Sequence, residues 1–450
     1  MTAPTITSPA TDLKRELGLF DAVMINAGTM IASAIFIVPA SIAAAVPGST
    51  MSTLVWIIGG VVSLLGALSV AELAAAYPEA GGQYAYLREA YGPVPAFLYG
   101  WANFAVINTA SIAAIAVGFA RYVGFFTHSP LTEAAIRVIA IASIAGLTLL
   151  NCRGVRLGAT TQNVLTSLKI GALLALIVSS FVLPGGSAAN FQPLWPSGSV
   201  GQWIGPFGVA MVAVLWAYDG WIETTYVGSE IVDPGRNLPG SIILSTVLVV
   251  ALYVLASVAY TYLLSPVVVA KSSLVASDAA KVTIGSAGAA LVVVAILIST
   301  LGANNGIILT AARIPYAMAR GGMFFRSQGL VHSRYGTPTV ALLTQGAIAS
   351  TLTAFGKYDQ LFTYVVFAQF VFYALSASAV MRLRKTAPQL ARPYKTWGYP
   401  VTPIVFIAFA VWLVYKTIVE TPKDSAIGAG LILLGLPGYY YWRRPRPGGR

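Results

Sequence analysis

Two stretches decide how this chain folds. One is Asn26-Ala27-Gly28-Thr29-Met30-Ile31-Ala32-Ser33-Ala34-Ile35-Phe36, followed by Pro39; the other is Trp216-Ala217-Tyr218-Asp219-Gly220-Trp221-Ile222-Glu223. Each sits inside an apolar run longer than the roughly 20 residues that cross a bilayer as a helix. Asp219-Gly220 is a strong turn pair, and Asp is a good helix N-cap. A carboxylate here is expected to cap a second half-helix whose positive end faces the bilayer centre. An Asp at that depth is costly without a role, which favours a break over a Gly220 that only lets helices approach. For the first stretch both readings stand: Gly28 opens a break, or it merely packs against a neighbour. Ala32 and Ala34 are good helix formers, and Ala does not favour positive φ. Non-helical backbone at membrane depth survives only beside protein or a water-filled cavity. Two interrupted spans five helices apart therefore suggest an inverted repeat, spans 1–5 against 6–10, with a binding site between the breaks.

Composition agrees with a membrane protein. Of 450 residues, 57% are hydrophobic and 9% charged, with a mean hydropathy of +0.76. Globular proteins carry about 25% charged residues, so a soluble enzyme, a disordered chain and a fibre are all excluded. The net charge of +12 fits cationic cytoplasmic loops better than nucleic-acid binding, because few charges are available to form a contact face. The single Cys152 excludes an intramolecular disulfide, a cysteine-built zinc site and an iron–sulfur cluster. His128 and His332 are far apart in apparent loops, so no metal and no cofactor is expected. The start of the chain reads as a polar tail before a first span, and not as a removable signal peptide.

Twelve apolar segments emerge: 19–45, 52–76, 94–124, 133–151, 160–183, 203–231, 239–264, 285–318, 338–355, 359–382, 402–419 and 425–442. The expected fold is an all-α integral membrane protein of twelve transmembrane helices. Residues 1–18 form a cytoplasmic tail, 19–183 a first repeat, 203–382 a second, 402–442 two further spans and 443–450 a second cytoplasmic tail. With twelve spans both termini share a side, and that side collects nineteen Lys and Arg against seven on the other. The bias places both termini in the cytoplasm of a multi-pass cell-membrane protein. The connections are short, so no soluble domain is expected, and no nucleotide-binding G-x-x-x-x-G-K-[ST] loop is found.

Ordered motifs along the chain resemble the amino acid–polyamine–organocation superfamily of permeases, most closely its L-type amino acid transporter branch with bacterial relatives. They are Gly28 to Phe36 with Pro39; Ala71-Glu72-Leu73; Pro78-Glu79-Ala80-Gly81-Gly82-Gln83-Tyr84-Ala85-Tyr86-Leu87; Trp216 to Trp221; and Glu230-Ile231-Val232-Asp233-Pro234-Gly235-Arg236-Asn237-Leu238-Pro239. The resemblance implies a five-plus-five inverted-repeat core with discontinuous helices 1 and 6. It implies that a substrate carboxylate meets amides of Ser33 and Ala34, with Ala32 beside them. It implies that the ammonium meets carbonyls of Met30, Trp216, Ala217 and Asp219, and that Trp216 closes over the substrate. Such an arrangement suits a zwitterion, since half-helix amino ends supply donors without a full charge. The family's Gly-Ser-Gly at the first break is here Ala32-Ser33-Ala34, and two added methyl groups narrow the slot. They select a very small side chain, or an amine or another small ligand.

Lys169, inside the fifth span, costs several kcal/mol unless it is paired or deprotonated. It either snorkels or acts; in related sodium-independent permeases a matching lysine reaches the position of the sodium ion, and transport without sodium is expected. Glu72 and Glu230 read as structural carboxylates near the inner ends of spans two and six, Glu230 with Arg236. Glu223 either carries a coupling proton or points at water in the inner vestibule. Asn108 in span three and Asn304-Asn305 in span eight join helices by hydrogen bonds, or line the side-chain slot as the family's arrangement implies. Tyr218 and Trp221 read as packing, and Gly321-Gly322 as the end of span eight. The outer loop between spans three and four has no cysteine, so a disulfide-linked heavy subunit is not expected. These features point to a non-enzymatic, sodium-independent exchanger of small neutral or apolar L-amino acids working by alternating access. A proton-coupled amino acid or amine symporter using Lys169 or Glu223, and a non-transporting amino acid receptor, are the alternatives.

Overall fold

A computed structural model describes residues 12–46, 48–127, 130–195, 200–355 and 358–443. The tail residues 1–11 and 444–450, and His128 with Ser129, lie outside the described residues. Helices follow one another along the described chain: α1 (Leu19–Met30), α2 (Ala34–Ala45), α3 (Ser49–Ala76), α4 (Gln83–Tyr91), α5 (Pro93–Ala102), α6 (Asn108–Val123), α7 (Glu133–Cys152), α8 (Val155–Val182) and α9 (Val200–Ala217). Then come α10 (Pro234–Leu263), α11 (Pro266–Lys271), α12 (Val275–Ala311), α13 (Arg313–Arg320), α14 (Thr339–Phe355), α15 (Tyr358–Thr386), α16 (Val401–Glu420), α17 (Pro422–Leu433) and α18 (Gly435–Arg443). Among the described residues, seven helices are long and apolar enough to cross a membrane, or eight if the bent pair α1 and α2 is one span.

α8 displays the logic of the packing. Gln162, Thr166 and Lys169 are buried, while Val164, Leu168, Leu174, Val178 and Phe181 stand exposed on the outside. Residues three or four apart share a helix face, so one polar stripe looks inward while the outward face is largely apolar. Water would reverse that pattern; a hydrocarbon solvent selects it, because it cannot hydrogen-bond an outward polar group. The stripe packs on α1 and on α12, while α10 lies along α3 and α15 along α16.

Two buried carboxylates lock the periphery. Glu72 of α3 takes a bidentate pair of bonds from Arg384 (2.9 and 2.6 Å), an amide bond from Thr396 (2.8 Å) and an ion pair from Arg392 (3.3 Å). Glu230 does not pair with Arg236, which is exposed. Its partner is Arg313 of α13, at 2.7 and 2.9 Å with both side chains fully buried. Arg236 is close in sequence but begins α10 and faces outward; Arg313 is distant in sequence and folded against the same turn. Gly321-Gly322 follow Arg320 and end the long apolar span Val275–Arg320, within which α12 gives way to α13 at Ala312.

Candidate functional site

The first break is real. α1 stops at Met30, α2 starts at Ala34, and their axes differ by 43°. Ile31 leaves helical geometry through ψ 84° at φ −80°. Among the described residues only Asp233 has positive φ without being Gly, so Ala32 and Ala34 need no left-handed conformation. The helix opens through ψ, which alanine tolerates, and the sequence-level objection to alanine there falls away.

The carbonyls that this break frees are caught from behind. The Lys169 ammonium, 1% exposed, donates to Gly28 O (2.7 Å), Ile31 O (2.8 Å) and Ser299 O (3.0 Å). Three donors into three carbonyls is the full complement of an ammonium, and a cation at a helix C-terminus is favoured by the helix dipole. Ser299 Oγ lies 2.8 Å from Ile31 O and 3.1 Å from Ala32 O. Tyr253 of α10 donates to Met30 O at 2.9 Å. Snorkelling is therefore not what Lys169 does. Gly302 makes room for it: a Cβ there would stand 2.9 Å from Nζ. The first amides of α2, by contrast, have no acceptor within their own helix and begin beside the cavity between the breaks.

The second break lies where expected, after Ala217, but no half-helix follows it. Gly220 has φ +110°, and the chain continues through turns and two short 3-10 segments, Glu223–Thr225 and Gly228–Glu230, before α10 begins. Asp219 is not seen as the cap of a second half-helix. Its carboxylate accepts from Tyr373 (2.6 Å) and Gln369 (3.1 Å) of α15. The freed backbone finds partners on other segments instead. Thr224 N donates to Asn26 Oδ1 (2.9 Å), Gly81 N to Tyr226 O (2.9 Å), and Thr29 Oγ1 to Gly220 O (3.1 Å). Gly220 is required as well as allowed: a Cβ would stand 3.0 Å from both Met30 N and Thr29 Oγ1.

Between the breaks lies a cavity of about 110 Å³. It brings together Met30, Ala32, Ser33, Ala34, Asn108, Trp216, Ala217, Asp219 and Glu223, nearly all of the expected site. Asn304 does not line it: its amide donates to Ile112 O at 3.2 Å, joining α12 to α6. Asn305 likewise bridges Asn151 (2.9 Å) and Gln162 (2.9 Å). Lys169 stands behind the first break, outside the lining. Glu223 is buried and accepts the Thr310 hydroxyl, so it does not point at a water-filled vestibule. Trp221 packs on Tyr373 and Phe406, and Tyr218 donates to Trp56 O, as packing residues.

Sequence reasoning missed Ser111, Ile115, Gly118, Thr300, Ile307 and Gln369 in the lining. Four of the α6 contributors, Asn108, Ser111, Ile115 and Gly118, recur at helical spacing on one face. A π-helical turn over Asn103–Ile107 aims that face, and Asn108 Nδ2 donates across it to Asn103 Oδ1 at 3.0 Å. The five-residue Asn–Asn spacing was the available signal for such a bulge.

A bundle with apolar flanks, enclosing a cavity of mixed polar and apolar lining at two opened helices, has the build of a multi-pass membrane protein. The chain belongs to the amino acid permease family, whose model matches residues 17–439, and within the amino acid–polyamine–organocation superfamily it is L-type in character. It is 33% identical to the human (Homo sapiens) b(0,+)-type amino acid transporter 1 over 439 residues, covering 96% of this chain and 88% of the relative. It is 31% identical to the Asc-type amino acid transporter 1 of Mus musculus over 444 residues (96% and 82%). It is 32% identical to the large neutral amino acids transporter small subunit 2 of Mus musculus over 452 residues (96% and 82%).

Proposed function

We propose that this permease is a sodium-independent exchanger of small neutral or apolar L-amino acids. The observation that carries the reading is the first break, whose two sides divide the labour. Its carbonyl side is occupied by Lys169, so a carbonyl cage that a sodium ion would need is already filled by a fixed ammonium. Its amide side begins at Ser33 and Ala34 in the cavity lining, where a carboxylate finds donors and a favourable dipole. The ammonium of the same zwitterion is received by backbone carbonyls at the end of α9 and by the Asp219 side of the cavity. Met30 O already accepts from Tyr253 and from the amide of Ala32, so the α9 carbonyls and Asp219 carry more of the proposed ammonium contact.

The proposed architecture is twelve spans with both termini cytoplasmic in the cell membrane, the first ten forming two inverted repeats. Alternating access would rock spans 1, 2, 6 and 7 against 3, 4, 8 and 9. Cys152 is buried at the end of α7, which supports function without a disulfide-linked heavy subunit. Counterflow in proteoliposomes tests the reading. Vesicles loaded with neutral L-amino acids should take up labelled L-alanine and L-serine equally with and without sodium, and empty vesicles should not. Sodium-dependent entry would overturn it.

A further inference from the structure

Among the described residues the cavity carries two carboxylates and no basic side chain: Asp219 and Glu223 both line it, and no described Lys, Arg or His does. Asp219 is met by a phenol and an amide of α15, Glu223 by the hydroxyl of Thr310 on α12. The other titratable groups near Glu223 are the phenols of Tyr99, Tyr226 and Tyr373. Lys169 has already given its three donors to Gly28, Ile31 and Ser299. Carboxylates taken from water without a positive partner are costly. A zwitterionic amino acid does not relieve this: its ammonium is offset by its own carboxylate, which sits at the start of α2. One ammonium therefore serves one carboxylate, and the second still lacks a charge.

The Thr310 hydroxyl shows how the second carboxylate is managed. It lies 2.9 Å from Gly306 O as well as against Glu223 Oε2. A hydroxyl has one proton and two lone pairs. It can donate to an ionised Glu223, or turn its proton to Gly306 O and accept from a protonated one. The pair thus serves Glu223 in both states without leaving a buried group unbonded.

Resting on the reading of this cavity as an amino acid site, we propose that Glu223 seats a second positive charge that travels with the substrate. The charge comes either from the side-chain ammonium of a cationic amino acid or from a proton accompanying a neutral one. With a cationic substrate the side-chain ammonium would meet the Glu223 carboxylate, and Thr310 would donate to the same group. With a neutral substrate the proton would reside on Glu223 and be released on the side where the cavity opens to water.

The test uses the full-length protein in proteoliposomes loaded with L-alanine. In one arm unlabelled L-ornithine competes with labelled L-alanine across external pH. In the other, alanine counterflow is followed at a series of equal internal and external pH values, because a proton that crosses with alanine in both directions changes the rate and leaves no net pH change. We expect one arm to respond in the wild type, and Glu223→Gln to reduce that response at least tenfold relative to alanine counterflow. Size-exclusion profile and thermal midpoint report whether the variant is folded, and the two wild-type arms decide the matter if it is not. Alanine counterflow with neither ornithine competition nor pH dependence overturns the role of Glu223 and leaves the exchange reading standing. No alanine counterflow, but ornithine exchanged for ornithine, supports Glu223 and overturns the neutral substrate.

Discussion

At the first break the chain leaves α1 at Met30 and is helical again at Ala34; at the second it leaves α9 at Ala217 and forms no further α-helix until Pro234. The first break is short, uses no positive φ, and has its carbonyls held by side chains from α8, α10 and α12. The second is long, turns on a glycine at φ +110°, and is held by the Asn26 and Thr29 side chains of α1, by the backbone of Glu16 and Leu17 ahead of α1, and by Gly81 in the loop after α3. A helix end whose orphan groups are met by fixed neighbours can restart at once. One whose groups are met by partners spread over α1, the segment before it and a loop follows those partners instead. The contrast assigns rigidity to the first break and compliance to the second.

Removing the fixed cation should hurt most. Lys169→Ala strips Gly28 O, Ile31 O and Ser299 O of their shared donor, and hydrogen bonds to a charged group are worth about 1.5–3 kcal/mol each. Counterflow of labelled L-alanine should fall by about a hundredfold, which is about 2.7 kcal/mol at 1.36 kcal/mol per decade. Wild-type rates from folded Lys169→Ala would remove the first break's support as the basis of the comparison.

Gly220→Ala tests the second break and should cost less than Lys169→Ala, because strain spreads along a compliant segment. Forbidden backbone costs about 1–3 kcal/mol, and the new methyl would also press on Met30 N and Thr29 Oγ1 at 3.0 Å. A roughly tenfold loss of counterflow with a lowered thermal midpoint is expected. An unchanged midpoint would mean that this segment relaxes freely and that Gly220 is not required. Ser299→Ala is milder again: Lys169 still serves Ile31 O, and one neutral hydrogen bond is worth about 0.5–1.5 kcal/mol. The same counterflow assay should show a loss of a few-fold, and a loss as large as that of Lys169→Ala would make the hydroxyl, not the ammonium, the main support.

The two breaks also differed in how far the sequence disclosed them. Asp219-Gly220 announced the second, because a charged turn pair inside an apolar run is too costly to keep unless the helix opens there. What followed it was not legible: the 3-10 segments are set by Asn26, Gly81 and Tyr226, whose pairings are long-range. The first break was balanced on local grounds, because alanine propensity speaks for a helix and the groups that override it, Lys169, Ser299 and Tyr253, lie on three other helices. Lys169 itself stood out, since a lysine in the middle of a span needs a partner, but its acceptors were backbone carbonyls, which no side-chain pattern reveals. Glu230 shows the same limit: the nearby Arg236 was the visible partner and the distant Arg313 the true one.

Replacing Ala34 by Gly should have the smallest effect on folding and the clearest effect on selectivity. Ala34 begins α2, lines the cavity and is buried, so removing its methyl widens the slot beside the carboxylate amides. The native conformation has negative φ, and a glycine gains no conformational relief there; it adds unfolded-state entropy worth about 0.4–1 kcal/mol. Stability should therefore fall slightly while the ratio of L-leucine to L-alanine counterflow rises several-fold, read by competition in the same vesicles. Ala32→Gly lies beside it in the same lining and should act in the same direction. If neither change alters the ratio, the methyl groups do not set the size of the slot, and the side-chain wall must be sought on α6 and α12, at Ile115 and Ile307. If instead the stability loss exceeds that of Gly220→Ala, the rigidity of the first break resides in its alanines and not in the cation behind them.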